Sequence, residues 1–443
     1  MIKVNLISLG CSKNQVDSEI MAGLLRERPD LRIVNNTAAA DVIIINTCGF
    51  IQDAKEESIE TIIRAGQLKE AGNCQAIIVT GCLAQRYKNV LLQELPEINA
   101  IVGTGTFDQI GQVLDQVLKG QKVSRIAKPT FAYQASNPRL LTATHYAYLK
   151  ISEGCNNNCT YCSIPQIRGP QYSREMADVK AEVTKLVAMG VQEIILIAQD
   201  LTSYGLDLYG QPSLPALIKE VLKVKELKWL RLMYNYPENI SDQLIDLIAH
   251  EDRICNYLDI PIQHSSDRIR HLMKRRGKRV ELLQLISKLR KRVPGINLRT
   301  SLIVGFPGED EHDFMDLLSF VKEVEFERLG VFKYSAEEDT AAFKLPHHLS
   351  AAVKEERHNQ LMEIQQKISY HKNQQLIGQV LEVIIDQIND NMALGRSRYD
   401  APEIDNQIYL PAKALKTGDL VQCIIKEAYE YDLIGANRDE FTK

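Results

Sequence analysis

Gly154-Cys155-Asn156-Asn157-Asn158-Cys159-Thr160-Tyr161-Cys162 places three thiols at Cys-x₃-Cys-x₂-Cys spacing. Three thiolates so arranged suit an iron–sulfur cluster, and because such a cluster takes four ligands, one iron is left open. A fully thiolate-ligated cluster only passes electrons, whereas an open iron chelates a substrate or cofactor. Zinc is the competing occupant. It wants a fourth protein ligand and favours two Cys-x₂-Cys pairs, and no partner pair of Cys or His follows nearby.

The passage resembles the signature of the radical S-adenosylmethionine (SAM) superfamily. That resemblance implies that the amino and carboxylate groups of SAM occupy the open iron and that the reduced cluster splits the sulfonium to give a 5′-deoxyadenosyl radical. Tyr161, between the second and third thiols, matches an aromatic position that the superfamily places near the adenine.

Around this loop the chain has ordinary globular composition: 443 residues, 45% hydrophobic, 25% charged, formal net charge −4. At roughly 150 residues per domain, about three domains are expected. A mildly acidic chain carries no basic footprint for nucleic acid, which leaves RNA unsupported rather than excluded. Met1 to Ile7 is too short an apolar run for a signal peptide, and no stretch approaches a membrane span. Nine cysteines without a secretion signal argue for a reducing compartment and for metal or catalytic thiols. The expected location is the cytoplasm, with oxygen sensitivity.

Residues 1–125 alternate apolar runs with helical periodicity and read as an open parallel α/β domain. Its candidate strands are Val4–Leu9, Asp41–Ile45, Ala76–Thr80 and Ala100–Val102. The first three run into Cys11, Cys48 and Cys82. Carboxyl ends of parallel strands share one edge, so three thiols 37 and 34 residues apart converge there as a second three-thiolate set. Gly10, Gly49 and Gly81 beside them keep bulk away from the ligands. Cys74, Cys255 and Cys423 read as core residues.

From Tyr146 to Tyr334 strand and helix repeat, with strands at Tyr148–Ile151, Glu193–Ala198, Trp229–Met233, Tyr257–Ile260, Leu298–Val304 and Arg328–Phe332. Six βα units fit a partial TIM-type barrel with its chemistry at the carboxyl ends of the strands, and the Cys155–Cys162 loop follows the first. Polar residues stand at the other strand ends: Gln199-Asp200, Tyr234-Asn235, Pro261 to Ser266, and Gly305 to Glu309. The superfamily resemblance implies that Asp200, Gln263, Arg299, Gly305 and Gly308 lie around SAM or the substrate pocket. Arg268, Arg270, Lys274, Arg275, Arg276, Lys278 and Arg279 read as a solvated helix face, with contact to ribosomal RNA as the alternative.

Ser350 to Leu376 is a polar helix with spaced apolar residues, suited to linking two domains. Beyond it, short alternating strands at Val380–Ile385, Ile408–Leu410 and Leu420–Ala428 predict a small antiparallel β-barrel. It resembles the TRAM module, usually an RNA-binding addition. Residues 378–443 hold 7 Lys or Arg against 12 Asp or Glu, the wrong sign for phosphate and the right one for a basic partner.

Three cysteines in an N-terminal domain (1–125), a radical SAM domain with its linker helix (141–376) and a TRAM-like tail (377–443) together resemble the methylthiotransferases. Ser8 to Glu19, Gly395 to Ser397, Asp400 to Asp405 and Glu430 to Leu433 resemble the protein-modifying branch; Ser12 and Asn406 depart from its frequent Pro and Gly. The tRNA-modifying branch more often carries Gln-Met-Asn where Ser12-Lys13-Asn14 stand. The resemblance implies two 4Fe–4S clusters, one on Cys11, Cys48 and Cys82 and one on Cys155, Cys159 and Cys162, with SAM, and methylthiolation of the β-carbon of an aspartate in ribosomal small-subunit protein twelve. It also implies a reductant such as flavodoxin or ferredoxin and a sulfur donor that the sequence does not identify. The same chemistry on a tRNA adenosine is the nearest alternative. A non-catalytic iron–sulfur electron carrier or RNA-binding scaffold is the other, disfavoured because neither thiol set has a fourth Cys.

Overall fold

The computed structural model describes residues 1–72, 74–129, 131 and 133–438. Six parallel strands open the chain: β1 (Ile2–Ser8), β2 (Leu31–Ile33), β3 (Val42–Thr47), β4 (Ala76–Gly81), β5 (Ala100–Val102) and β6 (Val123–Arg125). They lie in the order β2-β1-β3-β4-β5-β6. β3 and β4 are buried throughout. Val42 and Ile44 join one core with Val16 and Ile20, while Ile43 and Ile45 join another with Ile62 and Leu83. Helices thus cover both faces, which is why these strands read as unbroken apolar runs.

A second parallel sheet follows, built from β7 (Tyr146–Lys150), β10 (Glu193–Ile197), β11 (Trp229–Leu232), β12 (Ile254–Asp259), β13 (Asn297–Val304) and β14 (Arg328–Lys333). Its order, β14-β13-β12-β11-β10-β7, is the open six-stranded barrel expected from the βα repeats. Between β7 and β10 a two-stranded ribbon, β8 (Ser152–Glu153) with β9 (Tyr172–Ser173), brackets the Cys155–Cys162 loop.

The tail closes into a five-stranded barrel, β15 (Val380–Asn389), β16 (Met392–Ser397), β17 (Gln407–Pro411), β18 (Leu420–Ala428) and β19 (Asp432–Asn437). Its pairings are antiparallel except β17 with β19, which run parallel. The helix Ala351–Gln374 joins it to the larger barrel and buries Arg357, Leu361, Gln365, Ser369 and Asn373, one residue every four. Four of those five are polar. Gln365 Nε2 donates to Phe326 O (2.9 Å), and Asn373 Nδ2 donates to Tyr429 O (2.8 Å), so the helix is anchored to both barrels by hydrogen bonds as well as by Leu361.

The tail docks against residues of the large barrel's strands near their amino ends. Trp229 donates its indole N–H to Glu382 (2.9 Å), His145 meets Asp386 (2.7 Å), Arg328 pairs with Asp400 (2.6 Å), and Tyr257 donates to Asp405 (2.7 Å). Glu193 lies between Arg231 and the tail's Arg396. Asp386, Asp400 and Asp405 of the tail thus meet basic side chains of the large barrel, while its Arg396 is taken up by Glu193, so the tail keeps most of its excess negative charge. No helix among the described residues is long and apolar enough to cross a membrane.

Replacing Arg328 by Met leaves Asp400, which is 1% exposed, without its cation. Breaking a buried pair from one side costs about 3–5 kcal/mol. Urea unfolding should show a loss of that size; a loss below about 1 kcal/mol would mean that the pair does not hold the tail in place.

Candidate active site

The register of the first sheet delivers its three thiols to one edge. Ser8 pairs with Asn46 and Asn46 with Thr80, so Cys11, Cys48 and Cys82 leave three adjacent strands within two or three residues of one level. Cys11 caps helix α1 (Ser12–Arg26), and Cys82 opens the short helix α3 (Cys82–Tyr87), with α2 (Gln52–Glu70) between them in sequence. Gly10 has φ +87°, and a Cβ there would lie 2.8 Å from the Cβ of Cys48. Only glycine lets these loops approach so closely. The Cys82 thiol donates to Asn14 Oδ1 (3.6 Å), whose amide donates to Leu9 O and Thr47 O, tying the three loops through one side chain.

The second set sits on a loop fixed from several sides. Gly154, at φ +72°, lies so close to Pro170 O that a Cβ would come within 2.0 Å of it. Thr160 donates from its backbone to Met273 O and from its hydroxyl to Leu272 O. Asn157 donates its amide to Asp200 Oδ2 (2.7 Å), and Asp200 in turn accepts from Thr202 and Ser203.

Both sets open on one cavity of about 300 Å³. Its lining contains Cys11, Cys48, Cys82, Cys155, Cys159 and Cys162 together with Lys13, Arg168, Tyr234, Tyr236 and Arg275. Burial pushes the thiols of Cys48 and Cys162 up to about 12 and that of Cys155 to about 11. Cys11 behaves otherwise: desolvation by the surrounding protein opposes its ionisation, but Lys13, Arg168 and two backbone N–H groups outweigh that and lower its pKa. Protonated buried thiols give up their protons to a metal that replaces them. Six soft sulfur donors on one enclosed space fit iron–sulfur ligation.

Between the two sets lies a buried ionic quartet. Lys150 Nζ is 2.5 Å from both Asp17 Oδ1 and Glu153 Oε2, and Arg168 donates to the same two carboxylates. Arg168 also donates to Asn14 Oδ1 (2.6 Å), and Gln199 donates to Glu153 (2.8 Å). All four charged residues are at most 2% exposed. Burial opposes the ionisation of Glu153, but Arg168 and Lys150 hold it down to about 2. In Asp17 burial wins over the same two cations, and its pKa is raised.

Of the residues expected beside SAM, Tyr161 and Gln263 line the cavity. Asp200 stands one layer back, acting through Asn157. Arg299 faces Asp259 (3.1 Å) and the tail's Asp405 (3.3 Å), and neither it nor Gly305 and Gly308 belongs to the lining. The basic run is not a solvated face throughout. Arg270 is wholly buried against Glu238, and Arg275, 7% exposed, reaches into the cavity with its guanidinium 3.7 Å from the Tyr236 ring centroid. Arg168 carries no sequence signal beyond its place six residues after Cys162. Tyr234 and Gln263, both at strand ends, hold left-handed backbone at φ +63° and +74°. Such strain persists where surrounding structure imposes it, commonly at functional sites.

Residues 3–103 match the family described as "Uncharacterized protein family UPF0004", residues 149–321 the radical SAM superfamily and residues 377–437 the TRAM domain. The ribosomal protein uS12 methylthiotransferase RimO of Syntrophotalea carbinolica is 47% identical, over 99% of this chain and 97% of the relative. The proteins of the same name from Clostridioides difficile and Desulforamulus reducens are each 48% identical over 98% of the chain, covering 98% and 99% of those relatives. The chain belongs to the RimO family of radical SAM methylthiotransferases. It is therefore a transferase. Among solved structures, the radical SAM methyltransferase TsrM of Kitasatospora setae, with cobalamin and a 4Fe–4S cluster bound, superposes with TM-score 0.56 at 12% identity, over 91% of this chain and 82% of that one. The radical SAM enzyme OxsB aligns with TM-score 0.54 at 12% identity, over 83% and 56%. These likenesses concern the fold.

An acid held below its unfolded pKa of about 4.3 contributes stability at neutral pH that disappears as pH falls towards its folded value. For Glu153 that window runs from about 4.3 down to about 2. Unfolding free energy should fall across it by ~3 kcal/mol more in the wild type than in Glu153→Gln. Parallel pH profiles for the two proteins would contradict the ion-pair account.

Proposed function

We propose that the protein transfers a methylthio group to the β-carbon of an aspartate in ribosomal protein uS12, using SAM and two 4Fe–4S clusters. Cys155, Cys159 and Cys162 would hold one cluster and Cys11, Cys48 and Cys82 the other. The observation that carries this reading is the single cavity onto which all six thiols open. Insertion of sulfur needs hydrogen abstraction and sulfur delivery at the same carbon, so the two groups must face one substrate position. When bound, SAM and the two clusters supply the radical and the sulfur. The substrate assignment is supported by the near full-length relatives named for uS12.

The chain's own contribution is positioning and shielding. The Asn157–Asp200 hydrogen bond and the Thr160 anchors hold the Cys155–Cys162 loop in place. Tyr161, Gln263 and Arg275 are the residues placed to hold SAM beside that loop, with Arg275 supplying a cation for its carboxylate. Arg168 offsets the charge that Cys11 and Cys82 acquire as thiolates. Phe50, Tyr234, Tyr236 and Ile164 wall the cavity and exclude water from a reactive centre. Residues 1–125, 141–376 and 377–443 are proposed as the three units of this assembly, working in the cytoplasm with a reductant such as flavodoxin or ferredoxin.

Anaerobic reconstitution should yield about eight irons per chain and SAM-dependent 5′-deoxyadenosine. Incubation with uS12 and tRNA side by side should give a methylthio mass shift on uS12 alone. About four irons would remove the two-cluster reading, and a shift on tRNA alone would overturn the substrate.

A further inference from the structure

Three lysines are buried among the described residues: Lys13, Lys55 and Lys150. Lys55 pairs with Glu337, and Lys150 pairs with Asp17 and Glu153. Among the described residues Lys13 has no carboxylate partner. Its ammonium sits 2.9 Å from the centroid of the Tyr234 ring and lines the cavity shared by the two thiol sets. A cation–π contact recovers only part of what burying an ammonium costs. The Cys11 thiol is its ionisable neighbour, and a carboxylate is what the site lacks.

The Lys13 platform is built rather than incidental. Tyr234 keeps its left-handed backbone, its N–H donates to Asp259 Oδ2 (3.0 Å), and its hydroxyl shares a hydrogen bond with Ser12 (3.3 Å). Arg275, the other cation of the cavity without a carboxylate, lies across the space, where it donates to Pro261 O and neighbours Cys159 and Tyr161. Lys13 is two residues from Cys11. The two unpaired cations thus belong to opposite thiol sets.

We propose that Lys13, on its Tyr234 platform, binds the side-chain carboxylate of the target residue and so selects aspartate. The inference rests on the proposed aspartate target. A carboxylate is one bond from the β-carbon, so a cation beside Cys11 brings that carbon to the N-terminal thiol set while leaving its C–H bonds open to the other side. Lys13 contributes nothing to the bond changes themselves. Its ammonium faces the Cys11 thiol but no carboxylate among the described residues, and the substrate supplies one.

The test compares reconstituted wild type, Lys13→Met and Lys13→Arg on uS12 and on uS12 with the target aspartate changed to asparagine. Mass shift gives kcat/KM, fluorescence anisotropy gives Kd for the target-loop peptide, and iron content with uncoupled 5′-deoxyadenosine formation checks the clusters. A charge-assisted hydrogen bond is worth about 1.5–3 kcal/mol, or roughly 10- to 150-fold. Wild type should prefer aspartate over asparagine by about that factor. Lys13→Met should lose most of that preference and weaken peptide binding, both read per iron-loaded enzyme because Lys13 also lowers the pKa of Cys11. Lys13→Arg should recover part of the preference. Because a buried ammonium that meets no carboxylate among the described residues is removed, the melting temperature of Lys13→Met should equal or exceed that of wild type. An undiminished aspartate preference in Lys13→Met overturns the proposal, as does complete loss of iron, which would assign Lys13 to the cluster. If wild-type enzyme leaves uS12 unmodified, the target reading itself fails and the proposal falls with it.

Discussion

The interaction on which the rest depends is the buried quartet of Lys150, Arg168, Asp17 and Glu153. Asp17 comes from helix α1 of the first domain, and the other three come from the start of the large barrel and the end of the cysteine loop region. Desolvating four charges is expensive, and replacing such a group by apolar residues is often neutral or stabilising. Its value lies in register. Neither domain completes it alone, so the two lock in the one position where each charge meets its partners. Asn14 carries that lock to the thiols, since its carboxamide receives Arg168 and the Cys82 thiol and donates to the loops of Cys11 and Cys48.

Ordered this way, the molecule separates its tasks along the large barrel. Cavity residues such as Gln199, Tyr234 and Gln263 follow the carboxyl ends of the strands, while Trp229, Tyr257 and Arg328 receive the tail towards the amino ends. The TRAM barrel is therefore a support for the catalytic barrel in this arrangement, engaged through Glu382, Asp386, Asp400 and Asp405. The walls of the cavity come from the first two domains alone.

Much of this was legible in the sequence because parallel strands place consecutive carboxyl ends at one edge. Cys11, Cys48 and Cys82 could be brought together with no local motif, and the Cys155–Cys162 spacing marked its loop directly. The edge strands β2 (Leu31-Arg32-Ile33) and β6 (Val123-Ser124-Arg125) were missed because polar residues break them, where the equally short β5 (Ala100-Ile101-Val102) is an unbroken apolar run, and β16 and β19 because glycine and polar residues interrupt their alternation. Arg270 and Arg275 were hidden inside a charge run whose average looked solvated. Whether an arginine meets water or an aromatic ring depends on what packs over it, which a single helix does not reveal. For the same reason the sequence does not show Asp405, more than a hundred positions away, as the partner of Arg299.

The central claim is that two thiol sets, far apart in sequence, serve one shared space. Electron paramagnetic resonance of the reconstituted, reduced protein tests this directly. Two paramagnetic clusters facing the same cavity should broaden or split each other's signals. Variants lacking Cys11, Cys48 and Cys82, or lacking Cys155, Cys159 and Cys162, should show single unperturbed spectra. A wild-type spectrum equal to the plain sum of those two would contradict the account.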